Sequence, residues 1–150
     1  MSLPRVALTI ALCATCWLAQ DARALTGASA VAALNAQRAQ NGIPGDLVER
    51  ADWTAACKAH NRYMELNNVF VPSEDAGKPG YTKDGAWAAP NAVLGRDTWT
   101  PHHNPWENAP LGLMPLLSPR LTVLGASASY QHVCATTRPG IKRKGSDTND

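Results

Sequence analysis

The chain has 150 residues, a formal net charge of +2 and 45% hydrophobic residues. This length suits one domain, and the small charge provides no basic face, so nucleic acid is excluded as a partner. The sequence also lacks the G-x-S-x-G and H-E-x-x-H motifs of hydrolases and a glycine-rich phosphate loop. Sequence motifs therefore indicate no enzyme class.

Residues 1–24 have the pattern of a secretory signal peptide. A short basic start precedes an apolar run at 6–18, which is too short to span a bilayer, and A-R-A at 22–24 is a cleavage site. We expect a secreted product, extracellular or periplasmic, with no membrane span. A buried N-terminal helix is the alternative. The domain then covers 25–140, and we expect the polar tail at 141–150 to be disordered.

Two cysteines, Cys57 and Cys134, remain after cleavage of that peptide. In an oxidising compartment an even pair predicts one disulfide. It would close a loop of roughly 80 residues and stabilise the fold by about 4 kcal/mol in the chain-entropy model. Two buried free thiols are the alternative.

Two helices are predicted in the first half of the domain. The first covers 29–40 and places Arg38 at the edge of an apolar stripe, where it either pairs with a buried carboxylate or lies in solvent. The second ends at Asn67 and carries Trp53, Cys57, His60 and Met64 at helical spacing. A histidine on such a stripe is more often a core residue than a ligand.

The second half of the domain is rich in turns. Residues 69–101 form a long loop region with one short helix predicted at 86–94, interrupted by Pro90. Residues 105–125, PWENAPLGLMPLLSPRLTVLG, are predicted to form one wall of a groove, with an apolar turn at 116–117. Alternating segments at 121–127 and 131–137 predict two strands joined by a tight turn.

Several short motifs recur in one order along the chain. They are L-N-x-x-R from residue 34, C-K-A-H-N-R-Y-M-x-x-N from 57, S-E from 73, P-G-Y-T-x-x-G from 79, W-x-x-A-P from 106, L-L-x-P-R-L-x-x-x-G from 116, and Cys134. Their order and spacing resemble the CAP superfamily (cysteine-rich secretory proteins, antigen 5, pathogenesis-related 1), in the form carried by bacterial secreted proteins. The resemblance covers about 34–137.

The resemblance implies an α+β fold. A small antiparallel sheet would lie between helical layers in an α-β-α sandwich, and Cys57 would pair with Cys134. The family sheet continues past the strand that holds this second cysteine, whereas this chain passes into a polar tail. The domain is therefore either minimal or lacks its last strand, which would leave an open edge.

The family cleft typically carries two histidines and two acidic residues, and in some members it holds a divalent metal. Here Pro72 and residues 111–113, L-G-L, stand where the histidines are expected. Because proline, leucine and glycine supply no metal ligand, we expect no catalytic residues, no metal and no cofactor. The residues expected to line the cleft are Glu74, Glu107, His60 and Trp106.

The resemblance favours a non-enzymatic secreted domain that binds a small apolar or amphipathic molecule, such as a lipid or sterol, or a peptide. One alternative is a degenerate domain with no ligand. Another is a metal-assisted hydrolase, which requires two of the four histidines to converge on Glu74. The sequence does not predict the oligomeric state.

Overall fold

The computed structural model describes residues 24–142, so residues 1–23 of the predicted signal peptide and residues 143–150 of the tail lie outside it. Its helices are α1 (Ala28–Gln40), α2 (Ala51–Asn67), α3 (Lys83–Asn91) and α4 (Pro110–Leu116), with a 3-10 turn at Arg138–Gly140. Its strands are β1 (Val48–Glu49), β2 (Ala92–Arg96), β3 (Val123–Ala128) and β4 (His132–Thr136). This confirms the predicted α+β class. No helix within the described range has the length and apolarity to cross a bilayer.

The four strands form one sheet in the order β1-β3-β4-β2. Strand β4 is antiparallel to both neighbours, but β1 runs parallel to β3, with Val48 opposite Val123. The sheet is therefore mixed: the predicted antiparallel arrangement holds for β2, β3 and β4, and the β1 edge departs from it. The amide of Asn35 holds the segment before β1, because it both donates to the Leu47 carbonyl and accepts from the Leu47 N–H.

Helices cover both faces of this sheet. Side chains alternate along β4, so Cys134 faces α2 and α3, whereas Val133 and Ala135 join a cluster with α1 and α4. Leu34 of α1 and Leu116 of α4 are fully buried in that second cluster. This gives the predicted α-β-α layering.

The disulfide joins the sheet to α2. Cys57 is bonded to Cys134, with Cα atoms 5.2 Å apart and a sequence separation of 77. This confirms the predicted pair and rejects the two free thiols. Beside it, Gly125 lets the helix approach closely, because a Cβ there would overlap Trp53 and Thr54.

Two predicted local structures differ from the observed ones. The short helix is α3, which begins earlier because Thr82 caps it by accepting from the Gly85 N–H at 2.8 Å. It ends one residue after Pro90, whose ring opposes continuation, and the chain then forms β2. The turn predicted at 116–117 is the end of α4.

Arg38 is completely buried and follows neither predicted alternative. Its Nε donates to the Pro44 carbonyl at 2.8 Å. Its Nη1 donates to the carbonyls of Leu116 and Ser118 at 3.0 and 2.8 Å, and its Nη2 to that of Leu121 at 3.4 Å. Burial lowers the pKa of Arg38 from its ordinary value. The side chain thus ties α1 to the segment between α4 and β3.

Replacing this side chain tests its role. Arg38→Met removes the donors and leaves buried carbonyls unsatisfied, so we expect the free energy of unfolding to fall by about 3 kcal/mol. Chemical denaturation measures this free energy of unfolding. The control Arg62→Met changes an exposed arginine on α2 and should cost no more than about 0.5 kcal/mol. Equal effects of the two substitutions would contradict the role.

Loss of the disulfide gives an independent test. Cys57→Ser combined with Cys134→Ser should lower the free energy of unfolding by about 4 kcal/mol, because the unfolded chain regains its loop entropy. Reductant should destabilise the wild type and leave the double variant unchanged. If reductant has no effect on the wild-type midpoint, the bond does not stabilise the fold.

Candidate functional site

The four residues predicted to line one cleft lie on different faces of the sheet. His60, on α2, contacts Glu74. Trp106 is 1% exposed in the cluster on the opposite face, and its indole N–H donates to the Leu94 carbonyl at 3.0 Å. Glu107 is exposed beside it, near α1. The structure therefore brings two of the four together and does not form one cleft from them.

The imidazole of His60 and the carboxyl of Glu74 form a buried pair. Nδ1 lies 2.9 Å from Oε1, and both side chains are 0% exposed. Nε2 lies 3.0 Å from the Val71 carbonyl, which can only accept, so Nε2 carries a proton. The second Glu74 oxygen accepts from the Thr82 N–H at 3.1 Å. The pair fastens the segment after α2 to the start of α3, which is the role of a core histidine.

No ligand has access to this pair. A Cβ at Gly85 would overlap Glu74 Oε1, so the carboxyl group is packed directly against α3. Among the four histidines, His60 is the one that contacts Glu74 in the described chain; His103 instead lies 3.1 Å from Asp97. Within residues 24–142, no three histidine, cysteine, aspartate or glutamate side chains are grouped as metal ligands. The arrangement does not fit a metal centre.

An open apolar groove lies along α4 and the turn that follows it. We call it the α4 groove. Its volume is about 460 Å³, within the range of small-molecule sites. It is lined by Pro110, Leu113, Met114, Leu117, Ser118 and Pro119. Almost all of these side chains are apolar, so the groove favours a hydrocarbon.

Large apolar side chains at the α4 groove are exposed to solvent. Leu111 is 86% exposed and Met114 is 67% exposed. They are three apart on a helix and therefore lie on the same side. Single exposed apolar residues are common, but adjacent ones beside an apolar groove are typical of a binding surface.

The back of the α4 groove is held rigidly. Leu116 is fully buried, and Arg38 binds the carbonyls of Leu116 and Ser118. Gly112 allows α4 to lie against Trp106, because a Cβ would come 2.6 Å from Trp106 Cδ1. The groove is therefore formed before any ligand arrives. Segment 105–125 was predicted as a groove wall, but the lining residues were not.

The residue that follows the α4 groove lining in sequence is basic. Arg120 directly follows the lining residue Pro119, is exposed, and donates a hydrogen bond to the Lys142 carbonyl. Lys142 is itself exposed. The groove lining contains no acidic residue. This combination suits a molecule with an apolar chain and an anionic end.

The contrast between the two predicted acidic site residues gives a test. Glu74→Ala leaves a buried imidazole nitrogen and the Thr82 N–H without partners, so we expect a loss of about 3 kcal/mol in the free energy of unfolding. Glu107→Ala, at an exposed position, should cost no more than about 0.5 kcal/mol. A Glu74→Ala protein as stable as wild type would show that this pair does not support the fold.

Comparison of the chain with protein-family models, curated proteins and solved structures gives no match. The fold class, the disulfide and the geometry of the α4 groove therefore stand on the structure alone, and the CAP resemblance stands on the sequence motifs.

Proposed function

We propose that the protein is a secreted, non-enzymatic binding domain that holds a single-chain fatty acid in the α4 groove. The observation that carries the proposal is the preformed apolar groove with Leu111 and Met114 exposed at its side. Exposed apolar side chains next to an apolar groove are typical of a binding surface.

The proposed chemistry divides the ligand into two parts. The hydrocarbon chain lies against Leu113, Met114 and Leu117, where burial is worth about 25 cal/mol per Å² of apolar surface. The carboxylate lies towards Arg120, whose guanidinium suits planar anions. Arg38 holds the floor of the groove in place, so binding requires little further ordering of the groove.

Two further parts of the proposal concern origin and location. The sequence motifs, the α-β-α layering and the Cys57–Cys134 bond support descent from the CAP superfamily, with the cleft histidines replaced at Pro72 and in segment 111–113. The disulfide supports an oxidising compartment, and the pattern of residues 1–24 supports export.

The hydrolase alternative has no site to support it. The hydrolase would need two histidines around Glu74, and His60 alone contacts it among the described residues. The degenerate domain without a ligand is an outcome of the binding experiment that follows.

The experiment titrates the mature protein with dodecanoate and follows tryptophan fluorescence, since Trp106 packs against α4. Met114→Gln should weaken binding by about tenfold, because the hydrocarbon loses apolar contact at the groove. The matched control is Leu66→Gln, which changes a leucine of α2 that is 49% exposed and lies outside the groove; it should bind as wild type does.

Arg120→Gln tests the contribution of the ligand carboxylate separately from that of its hydrocarbon chain. It should weaken dodecanoate and leave dodecanol unchanged, because the alcohol has no charge to lose. Absence of any saturable binding by the wild type would favour the domain without a ligand. Equal loss in Met114→Gln and Leu66→Gln would place the binding elsewhere.

A further inference from the structure

A second cleft lies where the end of α2, the end of β2 and the β3–β4 turn meet. We call it the Phe70 cleft. Its volume is about 520 Å³, and its lining includes Phe70, Arg96, Asp97, Tyr130, Gln131 and His132. It shares no residue with the α4 groove. The register between β2 and β4 places Arg96 directly opposite His132, so these two side chains leave the same face of the sheet.

Arg96 supplies an available positive charge. Its guanidinium lies 4.6 Å from the centroid of the Phe70 ring, which orients it. In the part of the chain that the structure describes, no carboxylate lies within ion-pair distance of Arg96. The neighbouring Asp97 is engaged by the His103 ring at 3.1 Å and by the Thr98 N–H at 2.7 Å.

His132 has an unused hydrogen-bonding atom. The residue is 6% exposed, its ring stacks on Phe70 with centroids 5.9 Å apart, and its Nδ1 has no partner within residues 24–142. Burial lowers the pKa of His132, which favours the neutral ring. A buried ring nitrogen without a partner is unfavourable, and a ligand that bonds to it would remove that cost.

The positive φ values at the Phe70 cleft follow from the secondary structure around it. Asn68, with a φ of 50°, is the αL residue that caps the C-terminal end of α2, where asparagine is common. Asp97, with a φ of 79°, directly follows β2, and both residues line the cleft. The Arg96 guanidinium and the unpaired Nδ1 of His132 are therefore the observations that point to a ligand.

We propose that the Phe70 cleft binds a small aromatic carboxylate. The carboxylate pairs with the fork of the Arg96 guanidinium. The aromatic ring packs on Tyr130, which is 87% exposed at the rim. A polar ring substituent bonds to His132 Nδ1. One cation, with the carboxylates of Asp97 and Glu65 near the cleft, suits a singly charged anion better than a phosphate dianion.

Titration with 4-hydroxybenzoate, followed by NMR of the His132 and Tyr130 ring signals, tests the proposal. For a ligand of this size we expect a Kd on the order of 1 mM. 4-Hydroxybenzamide keeps the ring and the hydroxyl without the charge and should bind more weakly, by about tenfold. Inorganic phosphate should produce no saturable shift of the same ring signals.

Three variants complete the test. Arg96→Gln should weaken 4-hydroxybenzoate binding by at least about tenfold, and Tyr130→Ala, at an exposed position, by about fivefold. The matched control, Arg62→Gln, removes an exposed arginine outside the cleft and should have no effect. Dodecanoate binding in the α4 groove should remain unchanged in all three variants.

Several results would overturn the proposal. They are an absence of saturable shifts with 4-hydroxybenzoate, equal binding of 4-hydroxybenzamide, equal shifts with phosphate, and unchanged binding in both Arg96→Gln and Tyr130→Ala. Because Tyr130 is exposed, its removal leaves the fold intact even if Arg96→Gln unfolds the protein. The two proposals are tested separately. Dodecanoate binding tests the α4 groove, and 4-hydroxybenzoate binding tests the Phe70 cleft, so either can fail alone.

Discussion

The hydrogen bonds of the Arg38 guanidinium fix the part of the molecule on which the candidate site depends. Leu116 is the last residue of α4, and the final carbonyls of a helix have no partner within the helix. Arg38 donates to this carbonyl and to that of Ser118 in the following turn. A positive charge near the C-terminal end of a helix also interacts favourably with the helix dipole. A buried cation and otherwise unsatisfied carbonyls thus stabilise each other.

This interaction and the disulfide act on opposite faces of the sheet. Cys57 and Cys134 fix α2 to β4, whereas Arg38 fixes α1 to the connection between α4 and β3. Between them the strands have small side chains, and Gly125 lets α2 approach the sheet. Both helical layers are therefore fixed to the sheet. The α4 groove and the Phe70 cleft, which carry exposed apolar or unpaired polar groups, lie on this fixed scaffold.

Much of the scaffold was predictable because its signals are local. Apolar periodicity predicted α1 and α2, alternation predicted β3 and β4, and the number of cysteines predicted the disulfide. Strand β1 was missed because it has two residues and is held by the distant amide of Asn35. Strand β2 was missed because its first residues continue the apolar pattern of α3, and only Pro90 marks the change.

The sites were less predictable because they depend on contacts between distant segments. The spacing of His60 and Glu74 does not reveal that both are buried against each other. Likewise, Arg38 can be recognised as a carbonyl donor only once the turn after α4 is placed against α1. A seven-residue helix has too few positions for periodicity to show that Leu111 and Met114 face outward. The α4 groove therefore required the structure.

Hydrogen exchange of segment 110–121, compared between wild type and Arg38→Lys, tests the central claim most directly. A lysine retains the charge but cannot reach the same set of carbonyls with its single ammonium group. The account predicts faster exchange confined to this segment, with α2 and β4 still protected by the disulfide. Unchanged exchange in segment 110–121 would contradict the claim that Arg38 holds the α4 groove in place.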